Sequence, residues 1–133
     1  MAIIVGYVPA PEGVAALDTA IEEALRRGRR LVVVNSSRGE SLVDPRFATT
    51  ADWDSVDRRL AESGVEHELA RPVAGRDAAE QILALARDLN AELIVIGLRR
   101  RTPVGKLILG SPAQTILLQA DCPVLAVKSN STV

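Results

Sequence analysis

The apolar positions along the chain fall into two alternating kinds of segment. Ile3-Ile4-Val5-Gly6-Tyr7-Val8 is a short, nearly continuous apolar run closed by Pro9, Ala10 and Pro11. With no polar face, it predicts a strand buried on both sides of a parallel sheet. From Gly13 to Arg27 the period changes: Val14, Leu17, Ile21, Ala24 and Leu25 recur at helical spacing opposite Asp18, Glu22, Glu23, Arg26 and Arg27, and Gly28 stops the pattern. That spacing predicts an amphipathic helix.

The unit then repeats. Leu31-Val32-Val33-Val34 predicts a second strand, Asp52 to Glu62 a helix ending at Gly64, and Val65 to Arg71 a third, more loosely alternating strand, with a polar and mobile excursion from Asn35 to Thr50 in between. Asp77-Ala78-Ala79-Glu80 is a capping box, in which the aspartate accepts a first-turn amide and the glutamate reaches back to the cap amide. It opens a third helix expected to bury Ala79, Ile82, Leu83, Ala86 and Leu89. Leu93-Ile94-Val95-Ile96 predicts the fourth strand, and Ser111-Pro112-Ala113-Gln114 is a second capping box with proline at the first helical position. The fourth helix carries Ile116, Leu117 and Ala120, and Pro123 to Val127 closes the pattern as a fifth strand. Strict alternation with short connections predicts an α/β fold: a three-layer sandwich, four helices around a five-stranded parallel sheet, with right-handed crossovers. No linker or second composition zone interrupts it, so residues 1–133 read as one domain.

Composition narrows the function classes. Tyr7, Phe47 and Trp53 are the whole aromatic complement, 2% of the chain, which removes modules that stack bases on rows of aromatic rings. Sixteen Lys and Arg against seventeen Asp and Glu give a net charge of -1, so neither nucleic acid nor an anionic membrane is favoured globally. One cysteine, Cys122, and one histidine, His67, exclude an intramolecular disulfide and a zinc site built on nitrogen and sulfur. No apolar run approaches the roughly 18 residues of a membrane span, and Met1 to Val8 has no basic region before its apolar stretch. The expected compartment is the cytoplasm.

In open α/β sheets ligands bind beyond the carboxyl ends of the strands, where strand order reverses. Two predicted loops lie there: Pro9-Ala10-Pro11-Glu12-Gly13 after the first strand, and Gly97 to Gly110 after the fourth, running into Ser111. Gly97 lets a ligand approach the backbone closely, and Gly110-Ser111 leads into a helix whose free amides and positive dipole end favour an anion such as phosphate. Arg99, Arg100, Arg101 and Lys106 add cations between these points. Residue types alone leave a plainer reading open, in which Gly97 ends a strand, Ser111 caps a helix and the arginines form a solvated loop.

The segment from Gly97 to Ser111, Gly-Leu-Arg-Arg-Arg-Thr-Pro-Val-Gly-Lys-Leu-Ile-Leu-Gly-Ser, followed by Asp121-Cys122-Pro123-Val124-Leu125-Ala126-Val127, resembles the carboxyl-terminal signature of the universal stress protein family. Nucleotide-binding members of that family carry G-x2-G-x9-G-[ST] before the last helix; Gly97, Gly110 and Ser111 match its first glycine and its closing pair. The resemblance runs over essentially the whole chain, including Gly75-Arg76-Asp77 at the start of the third helix. It implies a Rossmann-like, adenine nucleotide alpha hydrolase-like sheet of order 3-2-1-4-5, with the switch point between strands one and four. It also implies ATP or another adenine nucleotide as ligand, held at Gly97, Arg100, Gly110, Ser111, Val8 and Pro9.

Two departures from the family pattern change that site. Arg100 stands where the second glycine belongs, and Val8 stands where binding members place an aspartate, followed by Pro9 in place of a glycine. Val8 cannot accept a hydrogen bond, and the Pro9 and Pro11 pair makes the segment stiff and short of donors. What survives is the phosphate half, with Arg100 as a compensating cation. The resemblance therefore implies a non-enzymatic stress-response regulatory module that binds a nucleotide or another phosphate ligand. The alternatives are a slow ATP hydrolase or phosphotransferase, which lacks the Val8 carboxylate for a metal, and a nucleotide-free dimer that binds protein partners.

Remaining residues read as structural. Tyr7 is expected in the core, although it could pack on a base; His67 reads as a solvated side chain and Cys122 as a buried structural thiol. No nucleophile elbow, phosphate loop or recognisable carboxylate pair marks a catalytic apparatus. In the implied order the last strand is an edge, and Val124, Leu125, Ala126 and Val127 bring no charge before Lys128. The resemblance implies a homodimer in which two such strands meet antiparallel; the competing expectation is that the tail Ser129 to Val133 covers the edge.

Overall fold

The computed structural model describes residues 1–35, 50–70, 77–100, 107–108 and 111–129. The elements run β1 (Ala2–Tyr7), α1 (Pro11–Arg27), β2 (Arg30–Asn35), α2 (Thr50–Ser63), β3 (His67–Ala70), α3 (Ala78–Asp88), β4 (Leu93–Arg100), β5 (Leu107–Ile108), α4 (Ser111–Gln119) and β6 (Val124–Lys128). The parallel sheet has the order β3-β2-β1-β4-β6. This is the order 3-2-1-4-5 expected for five strands, because β5 is a two-residue piece paired antiparallel to the end of β4. In the central register Ile3, Ile4 and Val5 lie beside Leu93, Ile94 and Val95, and also beside Leu31, Val32 and Val33.

Alternation of side chains divides the core into two layers. Ile3, Val5, Leu31, Val33, Leu93 and Val95 face α1 and α2, meeting Leu17, Ile21, Val56 and Leu60. Ile4, Val32, Val34, Ile94 and Ile96 face the other way, against Ala79 and Ile82 of α3 and Ile116 of α4. Helices on both faces leave the central strands no solvent side, which is why their sequences are apolar throughout. Each fully buried Ile or Leu contributes about 1.5–3 kcal/mol.

The helices depart from the periodicity reading in instructive ways. Helix α1 begins at Pro11, so Pro11, Glu12 and Gly13 form its first turn and not a loop; proline suits that place because its missing N–H is an orphan there anyway. Its buried face is Glu12, Gly13, Ala16, Leu17, Ala20, Ile21 and Ala24, whereas Val14 and Leu25 are exposed. The small residues at 13, 16, 20 and 24 let the helix axis settle close to the sheet. Gly28 ends α1 in the left-handed region at φ 66, where Arg29 N–H reaches back to the Ala24 carbonyl. The Asp77 half of the expected capping box is present: Asp77 Oδ1 accepts from Glu80 N at 2.8 Å. On α4, Ile116 is buried but Leu117 and Leu118 are exposed. The stretch 36–49, and Arg71 to Arg76 with the Gly75-Arg76 pair, lie outside the described residues.

Candidate functional site

The strand order reverses between β1 and β4, and the carboxyl ends of these two strands carry the expected site. Val8 follows β1 and is buried, and its carbonyl accepts from Ala10 N at 2.8 Å, turning the chain at Pro9 into α1. Ala10 starts the helix from an extended conformation without a side-chain cap, and its carbonyl accepts from Val14 N at 3.0 Å. The turn is tight. A β-carbon on Gly13 would stand 1.8 Å from the Val8 carbonyl oxygen, so the first turn of α1 lies directly on the end of β1.

Gly97 does not end a strand. Strand β4 continues to Arg100, pairing Gly97 with Val127 and Leu98 with Lys128, and then Arg99 and Arg100 with Ile108 and Leu107. The first four residues of the predicted loop, Gly97 to Arg100, therefore belong to β4, because pairing with β6 and β5 extends the ladder. The close approach at Gly97 is made by the protein itself: a β-carbon there would stand 2.3 Å from the Glu12 carbonyl oxygen and 3.1 Å from Glu12 Cβ. At Gly97 and Gly13 the first turn of α1 thus closes directly on the ends of β4 and β1.

Glu12 is a residue that periodicity passed over. It is only 7% exposed, and its carbonyl and Cβ lie at the junction of α1 with Gly97. The sequence signal for it was a glutamate directly after a helix-starting proline. Asn35, the cross-strand partner of Tyr7 at the end of β2, is also buried. Tyr7 lies in the α1 and α2 layer with its ring 6.1 Å from that of Trp53, tilted by 45°. Its place is the core.

Helix α4 begins at Ser111, after β4 and before the parallel strand β6, so its free first-turn amides and positive dipole end lie on the carboxyl-end side of the sheet. Gly110, Arg101 and Lys106 lie outside the described residues, as do the side chains of Arg99, Arg100 and Ser111. Of the six expected site positions, the structure brings Val8, Pro9 and Gly97 together at the ends of β1 and β4, and places the backbones of Arg100 and Ser111 at the end of β4 and the start of α4.

His67 is not a solvated side chain. Its Nδ1 lies 2.9 Å from the Val65 carbonyl oxygen and its Nε2 lies 3.0 Å from Asp57 Oδ1. The backbone carbonyl of Val65, then the Asp57 carboxylate, hold its pKa above the ordinary histidine value. Cys122 is half-buried, and burial pushes its thiol pKa up. Among the described residues no cluster of three or more His, Cys, Asp or Glu side chains could hold a metal ion, and no helix is long and apolar enough to cross a membrane.

These features match known proteins over nearly the whole chain. A model of the universal stress protein family matches residues 1–128. A universal stress protein from Mycolicibacterium smegmatis is 49% identical over 126 residues, covering 95% of this chain and 96% of that one. The solved universal stress protein from Archaeoglobus fulgidus superposes with a TM-score of 0.75 at 30% identity, covering 96% of this chain and 98% of that one. A structure of the universal stress protein from Archaeoglobus fulgidus in complex with dAMP gives a TM-score of 0.72 at 27% identity over the same shares. With the sheet order, the reversal between β1 and β4 and the helix opening at Ser111 in place, the chain belongs to the universal stress protein family.

Proposed function

We propose that this chain is a non-enzymatic regulatory module of the cytoplasm, acting as one domain over residues 1–133, that binds an adenine nucleotide mainly through its phosphate end. The observation that carries the reading is the start of α4 at the switch point, in a fold whose relative is solved with dAMP. The first-turn amides of α4 and the positive end of its dipole suit a phosphate, with the Ser111 hydroxyl as a further donor and Arg100, at the end of β4, as a cation.

The residues fit the two ends of such a ligand unequally. Val8 is buried and apolar, so it offers no acceptor for the amino group of a base. Glu12 and Gly97 are packed against each other, which limits how far a ligand can sink between β1 and β4. Affinity then rests on the phosphate, and nucleotides that differ in the base bind with similar strength.

The test is to denature freshly purified protein, search for released nucleotide by mass spectrometry, and titrate ATP, ADP and AMP against thermal stability. A ligand present at a hundred times its Kd stabilises the folded state by about 2.7 kcal/mol. Stabilisation that is abolished by Ser111→Ala and Gly110→Val supports the reading. No nucleotide and no stabilisation would leave the nucleotide-free reading, favoured by the apolar Val8. Phosphate release above a no-protein control with magnesium or manganese would favour a hydrolase instead.

The same reading includes a homodimer through β6. Val124, Leu125, Ala126 and Val127 pair with β4 on one side and with no other described strand, Leu125 and Ala126 are exposed, and within β6 no charge precedes Lys128. An apolar ladder that no described residue covers suits antiparallel pairing with a second copy about a two-fold axis.

A further inference from the structure

A second concavity lies at the opposite pole of the molecule, at the amino ends of the strands. Helices α3 and α4 both finish there, and between them is a cavity of about 250 Å³. Leu83 and Ala91, both buried, and the half-buried Ala86 give it an apolar floor, while Asn90 and Gln119 add polar groups to its wall. Arg87, in the last turn of α3, borders it on one side; Asp121 and Cys122, in the turn between α4 and β6, border it on the other. Arg87 and Asp121 carry opposite charges on one small cavity, yet neither forms an ion pair with the other or with any described residue.

We propose that this cavity is a binding site for a small zwitterion with a short aliphatic chain, of the free amino-acid class. The carboxyl ends of two helices converge on it and Asp121 adds a carboxylate, so the α4 side favours an ammonium group. Arg87 offers a planar pair of donors matched to a carboxylate. The floor of Leu83, Ala86 and Ala91 accepts a branched apolar chain. The volume sets the size: it is below the 300–1,000 Å³ or so of a site for a drug-sized ligand, and suits a molecule of a few heavy atoms. The site shares no residue with the β1 and β4 switch point, so it stands or falls separately from nucleotide binding.

Cys122 makes the cavity directly readable, because it is the one cysteine in the chain. Burial keeps its thiol protonated near neutral pH, giving a slow baseline rate with a disulfide reagent such as dithionitrobenzoate. The intact protein is labelled in the presence of rising L-leucine, 4-methylpentanoate, which lacks the ammonium, or 3-methylbutylamine, which lacks the carboxylate. The expected result is a severalfold, saturable slowing by leucine at millimolar concentration that neither analogue matches. Arg87→Gln and Asp121→Asn, both at exposed positions, should keep the circular dichroism spectrum and lose the slowing. Backbone amide shifts at Asn90 and Ala91 should move with the same saturation. A labelling rate indifferent to leucine overturns the site. Equal slowing by all three compounds, or slowing retained in both variants, overturns its charge recognition and with it the assignment.

Discussion

Gly97 of β4 lies directly against Glu12 of α1, close enough that a β-carbon on the glycine would meet the Glu12 carbonyl oxygen at 2.3 Å. Backbone meets backbone there, so no flexible side chain can yield. Gly97→Ala is expected to lower the unfolding free energy by about 1–3 kcal/mol or more through overpacking. Gly13→Ala, whose β-carbon would meet Val8, should do the same. Urea titration without added nucleotide measures both; an unchanged midpoint at Gly97 would mean that α1 is not fixed on β4 by this contact.

Both ring nitrogens of His67 face acceptors, the Val65 carbonyl and the Asp57 carboxylate. Only the imidazolium can donate to both. Its raised folded pKa means that its contribution to stability is full below the ordinary value of 6.5 and fades as pH rises through the folded value. The gap in stability between the wild type and His67→Gln should therefore be widest in mildly acidic buffer and shrink above neutrality. Asp57→Asn should move the NMR titration of His67 back toward its ordinary midpoint.

Neighbouring apolar residues of α4 should respond in opposite ways. Ile116 is 2% exposed and fills the layer beneath α3 and α4. Ile116→Ala is expected to cost about 2–5 kcal/mol by opening a cavity. Leu118, 85% exposed, should tolerate serine within about 0.5 kcal/mol. Thermal or chemical melts of the two variants separate these outcomes.

Along β6, Leu125 is 37% exposed on the strand at the border of the described sheet. Leu125→Lys places a charge where an antiparallel partner strand would lie, and sedimentation should register a shift from dimer to monomer with the helical content unchanged. A wild type that sediments as a monomer at micromolar concentration would refute the β6 interface.

The central sheet was legible because its chemistry is redundant. Every residue of Ile3 to Val5, Leu31 to Val34 and Leu93 to Ile96 is buried, and a short apolar run without alternation is what a strand covered on both faces requires. The Asp77 cap was legible because it is local, joining residues three apart. What escaped the sequence depends on how elements meet. Val14 and Leu25 looked like part of the buried stripe of α1, but close seating on the sheet selected Gly13, Ala16 and Ala20 in their place, beside the expected Leu17, Ile21 and Ala24. His67 looked solvated because its partner Asp57 belongs to another element, ten residues away. At the site, the absence of an acceptor at Val8 was plain, whereas the burial of Glu12 against Gly97 follows only from where α1 lands.

The sheet has two borders of different character. At β3 the strand is short, Glu66 and Glu68 are exposed, and Glu68 lies 3.5 Å from Arg30; at β6 the ladder is longer and apolar. Among the described residues nothing pairs with the outer side of β6, so the proposed pairing would give the sheet a valence of one. With a partner strand on β6 as proposed, the charged border at β3 is the one left, and association through the sheet is expected to end at a pair instead of propagating into a fibre.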